Sequence, residues 1–145
     1  MSSWRDKASL QAQTDLDGLL NAALGFAQHQ LDTHGEFFPY AVAIDATGRT
    51  EMIASRPDPE DEHPRSTDVL DACIATLVSQ RDILRAGAIV TDVRLPDVGT
   101  DSIQVDLEHS DGHALTVLLP YAIRRRRGIQ YGELRVQTGQ SQIWL

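Results

Sequence analysis

Apolar and polar residues alternate strictly from Ile103 to Glu108, and an apolar segment follows the turn Ser110-Asp111-Gly112. Side chains of a strand point alternately to the two faces of the sheet. The favoured register of two paired strands is therefore the one that keeps their apolar residues on one face. A two-residue Asp111-Gly112 turn would place Leu107 opposite Thr116 and mix the faces. A three-residue turn pairs Leu107 with Leu115, Val105 with Val117, and Ile103 with Leu119. The sequence therefore predicts an antiparallel hairpin, and with it an antiparallel sheet.

Residues 37–54 predict a second hairpin of the same kind. Its turn is Ala46-Thr47-Gly48, in which Gly48 can adopt a positive φ. The predicted register pairs Asp45 with Arg49, Ile44 with Thr50, and Val42 with Met52.

Further strands are predicted at residues 89–95 and near the end of the printed chain. There a Gly139-Gln140 turn pairs Val136 with Ile143 and Leu134 with Leu145. Residues 141–145 would then form an edge of the sheet, and such an edge is open to pairing with another strand.

Two segments have the apolar period of an amphipathic helix. Thr14 or Asp15 is expected to cap the first helix, and Gly35 suits the left-handed position after its last turn. The second helix is expected to begin at Ser66 or Thr67 and to end at Gly87. The first apolar stripe comprises Leu16, Leu19, Leu20, Ala23, Leu24, Ala27 and Leu31, and the second comprises Leu70, Cys73, Ile74, Leu77 and Leu84.

The order of these elements is α-β-β-α-β-β-β-β-β. It predicts a two-layer α+β fold with a mostly antiparallel sheet of about 6–7 strands, and both amphipathic helices are expected on one face of that sheet. A chain of 145 residues has the size of one ordinary domain. We assign residues 14–145 to this domain and residues 1–13 to a polar N-terminal tail.

The chain is acidic, with 21 Asp and Glu residues against 13 Lys and Arg and a formal net charge of -8. This balance argues against nucleic acid as a partner, since DNA and RNA are polyanions. No segment reaches the ~18 apolar residues of a membrane span, and residues 1–7 lack the apolar core of a secretory signal. The lone Cys73 excludes an internal disulfide, and its place on an apolar stripe predicts a buried, inert thiol. We therefore expect a cytoplasmic protein with no membrane partner.

Four consecutive arginines stand out in this acidic chain: Arg124, Arg125, Arg126 and Arg127. They follow an apolar segment and precede Gly128, which places them at the end of a strand and in its turn. One interpretation is a solvated turn whose arginines pair with carboxylates of residues 59–62 or 97–101. The other is an anion-binding patch, because guanidinium groups match the geometry of carboxylates and phosphates.

Residues 57–65 form an acidic, proline-rich loop that suits neither a helix nor a strand. The loop is either solvated or a docking surface for a basic partner such as a cationic nuclease. Its candidate binding residues are Asp58, Glu60, Asp61 and Glu62.

No nucleophile motif, phosphate loop or dinucleotide-binding glycine pattern occurs in the sequence, so we predict no catalytic residue, cofactor or metal. His109 and His113 face each other at the end of the 103–119 hairpin, where we expect a polar hairpin end rather than metal ligands. Glu36 and Tyr40 lie among aromatic residues, and together with the arginines they are candidates for an anion pocket with an acid–base carboxylate.

Trp144 lies opposite Arg135 in the predicted last hairpin. The two side chains would form an exposed cation–π pair, or Trp144 would be an aromatic anchor in a protein interface. The edge formed by residues 141–145 also allows a homodimer by strand addition.

Residues 34–45 read His-Gly-Glu-Phe-Phe-Pro-Tyr-Ala-Val-Ala-Ile-Asp, with Gly48 behind them. Over residues 19–55 the chain resembles small uncharacterised bacterial α+β proteins in which a helix ends in Gly and an aromatic-Pro segment leads into a Gly-turned hairpin. The resemblance implies the fold but no activity. Some proteins of this size and acidity are immunity or accessory partners of bacterial toxins, and the element order is similar to profilin-like and roadblock-like modules.

Two functions follow as hypotheses. The first is a non-enzymatic, protein-binding accessory or immunity-like module of a bacterial cytoplasm, which requires the arginine run or the acidic loop to be accessible. The alternative is a small-ligand-binding or enzymatic domain, which requires Glu36, Tyr40 and the arginines to converge in one concavity.

Overall fold

The computed structural model describes residues 4–54, 65–126 and 128–144. Their helices are α1 (Trp4–Lys7), α2 (Leu10–His34) and α3 (Ser66–Gln80), and a 3-10 turn follows at Arg81–Ile83. Their strands are β1 (Tyr40–Asp45), β2 (Thr50–Ile53), β3 (Leu84–Leu95), β4 (Thr100–His109), β5 (Ala114–Arg124), β6 (Gly128–Tyr131) and β7 (Arg135–Thr138).

The seven strands form one sheet in the order β2-β1-β3-β4-β5-β6, and β7 pairs with the same edge of β5 as β6 does. Every strand pair is antiparallel. The α+β class and the predicted order of helices and strands are confirmed. Both hairpin registers are also confirmed, because Val42 pairs with Met52 and Leu107 pairs with Leu115.

The two long helices lie on opposite faces of the sheet. On one face, α2 packs its Leu16 and Leu19 against β-strand residues that include Val105. On the other face, α3 packs Cys73 and Leu77 against Ala41, Ala43 and Ile89. The prediction that both helices cover one face is therefore wrong. The reason is that β1 is apolar at odd and even positions alike, so it must be covered on both faces.

Each long helix also differs from its prediction at one end. α2 begins within the predicted tail, because the Ser9 hydroxyl accepts a hydrogen bond from the Ala12 N–H and caps the helix there. It ends as predicted at Gly35, whose φ is 74°. α3 stops at Gln80, so the predicted end at Gly87 is wrong. Gly87 lies within β3, where an added Cβ would come within 2.9 Å of Ile143 Cδ1.

The end of the described chain does not form the predicted hairpin. β7 pairs with β5, which places Val136 opposite Val117 rather than Ile143. Residues 139–144 leave the sheet edge and cross to the α3 face, where Ile143 is buried between α3 and β3. The predicted edge strand at residues 141–145 is therefore wrong for the described residues, and β7 lies at the edge instead.

We predict that Gly139→Ala lowers the free energy of unfolding by about 1–3 kcal/mol, as overpacking does. A Cβ at residue 139 would lie 2.8 Å from the carbonyl carbon and 2.9 Å from the amide nitrogen of Leu115, and backbone atoms cannot move aside cheaply. Urea unfolding measures the change. Gly25→Ala is the control: it meets nothing within 4 Å on α2, and it should stabilise the protein by about 0.5–1 kcal/mol. Equal effects of the two variants would contradict the prediction.

Candidate functional site

The β5–β6 turn projects beyond the neighbouring strand β4. The last pair between β4 and β5 is Asp101 with Tyr121, whereas β5 continues to Arg124 and pairs there with β6. Gly128 has a φ of 72° and allows the chain to reverse. Arg124, Arg125 and Arg126 are exposed at this turn, as predicted, and Arg127 lies outside the described residues.

These three arginines make no ion pair with a carboxylate of the described residues. The nearby aspartates have other partners: Asp97 lies 3.3 Å from Arg135, and Asp101 lies 3.6 Å from Arg94. The predicted pairing with residues 97–101 is therefore not formed by Arg124, Arg125 or Arg126. Asp58, Glu60, Asp61 and Glu62 lie outside the described residues.

An exposed apolar side chain lies beside the arginines at the turn. Ile123 precedes the arginines and is 56% exposed. Phe38 and Val98 are also exposed, and they lie at the same end of the sheet because β1 begins there and β3 turns into β4 there. Exposed apolar side chains beside arginines are typical of protein-binding surfaces.

A groove of about 230 Å³ opens at the same end, beside the start of α3. The pairing of β1 with β3 stops at Tyr40 and Val90, whereas β3 continues to Leu95 with only β4 beside it. The space left by β1 forms the groove. Its lining residues are Phe37, Pro39, Ser66, Thr67, Leu70, Thr91, Asp92 and Val93.

Asp92 is the charged residue in this lining. Its Oδ1 accepts a 2.7 Å hydrogen bond from the Tyr121 hydroxyl. Partial burial raises the pKa of Asp92, the hydrogen bond from Tyr121 lowers it, and the negative charges of Asp101 and Glu36 raise it again, with a net upward shift. Burial and the Asp92 contact also raise the pKa of Tyr121. Tyr121 belongs to the α2-side core, so this hydrogen bond holds the Asp92 carboxylate on that face of the sheet.

Thr91 also lines the groove and is only 9% exposed. Its Oγ1 is buried and has no hydrogen-bond partner among the described residues. A buried hydroxyl without a partner loses the hydrogen bonds it would make in water. Thr91 Oγ1 is thus a buried polar atom without a hydrogen bond among the described residues, next to the apolar lining of the groove.

The predicted pocket residues do not come together. Tyr40 is a core residue whose hydroxyl donates a hydrogen bond to the carbonyl oxygen of Ala23, and burial raises the pKa of that hydroxyl. Glu36 is exposed. Neither residue lines the groove, although Glu36 acts electrostatically on Asp92.

At the opposite end of the sheet, Asp15 holds a buried charged cluster together. It lies 2.8 Å from Arg85 and 2.9 Å from Nε2 of His109, while Nδ1 of His109 lies 3.0 Å from Asp111. His109 lies at the polar end of its hairpin, as predicted, but its side chain is buried, with 6% exposed. Asp15 is one of the buried positions of α2. A buried carboxylate requires a hydrogen-bonding or oppositely charged partner, so its position in the apolar stripe could have indicated this cluster.

Glu108 is a second buried charge that sequence reasoning missed. Its carboxylate accepts hydrogen bonds from the backbone N–H groups of Gln142, Ile143 and Trp144, at 2.8 to 3.2 Å. These bonds hold the final segment against the sheet, and Arg81 adds one to the carbonyl oxygen of Ile143. Glu108 therefore has a clear structural role.

The same contacts change the interpretation of Trp144. It packs partly buried against the α3-side core, so the predicted exposed pair with Arg135 is wrong. Cys73 is fully buried, as predicted, and its Sγ lies 3.9 Å from the carbonyl oxygen of Pro39.

No protein-family model, curated protein or solved structure matches this chain. The resemblance over residues 19–55 therefore stays a prediction. None of the helices in the described ranges is long and apolar enough to cross a membrane. The same ranges contain no group of three or more His, Cys, Asp or Glu side chains placed to hold a metal ion.

Proposed function

We propose that this protein is a non-enzymatic binding module that recognises an acidic surface of another protein through its β5–β6 turn. The observation that supports this proposal is that the arginines of the turn are exposed and form no ion pair among the described residues. Arg124, Arg125 and Arg126 are exposed without a carboxylate partner in the described part of the chain. By contrast, the exposed Arg94 and the partly exposed Arg135 each have one.

The chemistry of the turn favours a protein partner. Guanidinium groups bind carboxylates through two parallel hydrogen bonds, and Ile123 beside them adds apolar area. A net charge of -8 disfavours the binding of a polyanion such as nucleic acid, and the arginine run is a small basic patch in this acidic chain. An immunity-like or accessory role in a bacterial cytoplasm belongs to the same proposal. The homodimer predicted through residues 141–145 does not, because the described residues 141–144 form no edge strand.

The test compares two variants with the same change of charge. R124S/R125S/R126S removes three of the four arginines of the run, while R49S/R94S/R135S removes three arginines that have carboxylate partners. The probe is a fluorescent deca-glutamate peptide, and its affinity is measured by anisotropy at two salt concentrations. Proteins recovered from an extract of the source cells are quantified in parallel.

We expect the turn variant to bind the peptide at least tenfold more weakly, a difference of about 1.4 kcal/mol. We also expect it to lose the proteins that the wild type recovers. The control variant should retain both, and added salt should weaken the peptide complex. Equal peptide affinity and equal recovery for the two variants would refute the proposal.

A further inference from the structure

We infer that a polar cleft beside the final segment (residues 139–144) binds a small alkylguanidinium compound. The cleft lies on the α3 face of the sheet, over β4, β5 and β7, and its volume is about 320 Å³. It shares no residue with the arginine turn and does not depend on the function proposed for that turn. Its described lining consists of Gln104, Asp106, Thr116, Gln137, Thr138, Gly139, Gln140 and Gln142.

One row of paired residues forms the floor of the cleft. Ile89 pairs with Asp106, Asp106 pairs with Thr116, and Thr116 pairs with Gln137. Residues directly opposite each other in an antiparallel pair point to the same face of the sheet. Ile89 belongs to the core beneath α3, so the other three residues lie on that face as well. The sheet thus brings polar side chains from three strands together.

The final segment forms a wall beside this floor. The Gly139 N–H donates a hydrogen bond to the carbonyl oxygen of Ala114, and the Gln142 N–H donates one to the carboxylate of Glu108. These two bonds hold the segment against the sheet, where its residues 139, 140 and 142 line the cleft. The polar sheet face is therefore concave here, as binding sites for small molecules are.

The hydrogen bonds on the floor determine which groups remain for a ligand. Asp106 Oδ1 accepts a 2.7 Å bond from the Thr116 hydroxyl, and Oδ2 accepts a 3.0 Å bond from the amide nitrogen of Gln104. Thr116 uses its one proton in this bond, so its oxygen can only accept another. The carboxylate oxygens keep further lone pairs, and the amide oxygen of Gln104 is an acceptor too. The floor is therefore rich in acceptors, which favours a ligand with several donors.

The charge of the cleft sets the sign of the ligand. Asp106 is the only charged residue of the described lining. The neighbouring charges on this face have partners of their own, since Glu108 accepts backbone N–H groups of the final segment and Arg135 lies 3.3 Å from Asp97. A carboxylate attracts a cation and repels an anion.

A guanidinium group fits this arrangement better than an ammonium group does. It is planar, and it can donate two parallel hydrogen bonds to the two oxygens of one carboxylate while its other N–H groups reach further acceptors. Thr116 and Gln104 hold the Asp106 carboxylate in one orientation, as such a pair requires. The cleft volume also exceeds the ~150 Å³ of a cavity that accepts benzene, so a guanidinium group with a short alkyl chain has enough space.

The test is an NMR titration of the full chain with four probes: propylguanidinium, its neutral isostere propylurea, pentylammonium and glucose. We expect propylguanidinium to shift the amide signals of Asp106, Thr116, Gln137 and Gln142 in a saturable way. Its dissociation constant should be on the order of 1 mM, which is typical of so small a ligand. Propylurea should bind at least tenfold more weakly and pentylammonium at least threefold more weakly, and glucose should cause no saturable shift.

Two variants and one control locate the binding. Asp106→Asn removes the charge but keeps an acceptor oxygen for the Thr116 hydroxyl, and it should weaken propylguanidinium binding at least tenfold. Gln104→Leu removes one acceptor and should weaken binding about threefold, a loss typical of one hydrogen bond. Glu51→Gln removes the same charge as Asp106→Asn, but on β2 at the other border of the sheet, and should leave the affinity unchanged.

Any of four results would overturn the inference. They are the absence of a saturable shift with propylguanidinium, equal affinity for propylurea or pentylammonium, stronger binding of glucose than of propylguanidinium, and wild-type affinity in Asp106→Asn or Gln104→Leu. The variant R124S/R125S/R126S should bind propylguanidinium as the wild type does, so this inference and the function proposed for the arginine turn can fail separately.

Discussion

Replacing Glu108 with alanine is expected to release the final segment and to lower the free energy of unfolding by about 3–5 kcal/mol. The carboxylate is 4% exposed and accepts the N–H groups of Gln142, Ile143 and Trp144. Without it, these donors lose their acceptor, and Ile143 loses the bonds that keep it between α3 and β3. Thermal and urea unfolding measure the loss, which corresponds to a fall in Tm of about 2–4 °C per kcal/mol.

The accompanying variants separate the hydrogen bonds from general damage. The stability of Glu108→Gln should fall between that of the wild type and that of the alanine variant. Glutamine keeps one acceptor oxygen, but its NH2 group is a donor and cannot accept the backbone N–H groups. Glu133→Ala alters an exposed carboxylate and should stay within about 0.5 kcal/mol of the wild type. In a double-mutant cycle with Ile143→Ala, strong coupling is expected. Additive losses would show that Glu108 does not hold Ile143 in place.

Asp15→Ala is the second change with a large expected effect, also about 3–5 kcal/mol. Asp15 is 5% exposed, and its carboxylate contacts both the Arg85 guanidinium and the His109 imidazole. Without this carboxylate, the guanidinium and the imidazole lose the partner that they share. Equilibrium unfolding in urea measures the loss. The cluster ties α2 to β3 and to the end of β4, so we also expect faster hydrogen exchange in α2.

A matched control lies two residues further along the same helix. Asp17 also pairs with an arginine, Arg5, at 2.6 Å, but both side chains are nearly half exposed. Asp17→Ala should therefore cost less than about 1 kcal/mol, as exposed ion pairs do. If the two variants lost the same stability, burial would not be what gives the Asp15 cluster its strength.

The parts of the fold that the sequence predicts are the ones determined by local patterns. The Ala46-Thr47-Gly48 and Ser110-Asp111-Gly112 turns fix their registers because a shift of one residue would turn every apolar side chain to the wrong face. The end of α2 is equally local, since Gly35 provides the left-handed conformation.

The parts that the sequence does not predict depend on distant partners. Asp15 and His109 are separated by 94 residues, and Glu108 meets Ile143 across 35 residues. A pattern of apolar residues contains no information on which buried carboxylate meets which donor. The same limit applies to the groove, because it exists where β1 stops before β3 does. By contrast, the arginine turn was visible in the sequence, since four like charges in a row need no tertiary information.

Both ends of the sheet order finish in short strands, and this has a consequence for self-association. β2 has four residues, and the other border of the sheet is divided between β6 and β7, with four residues each. Between them, the Gly132 N–H donates to the carbonyl oxygen of Pro120 and keeps the connecting chain close to β5. Among the described residues, an incoming strand from a second molecule would find only these four-residue strands along the two borders. The interrupted outline of the sheet therefore resists the stacking of strands that leads to fibrils.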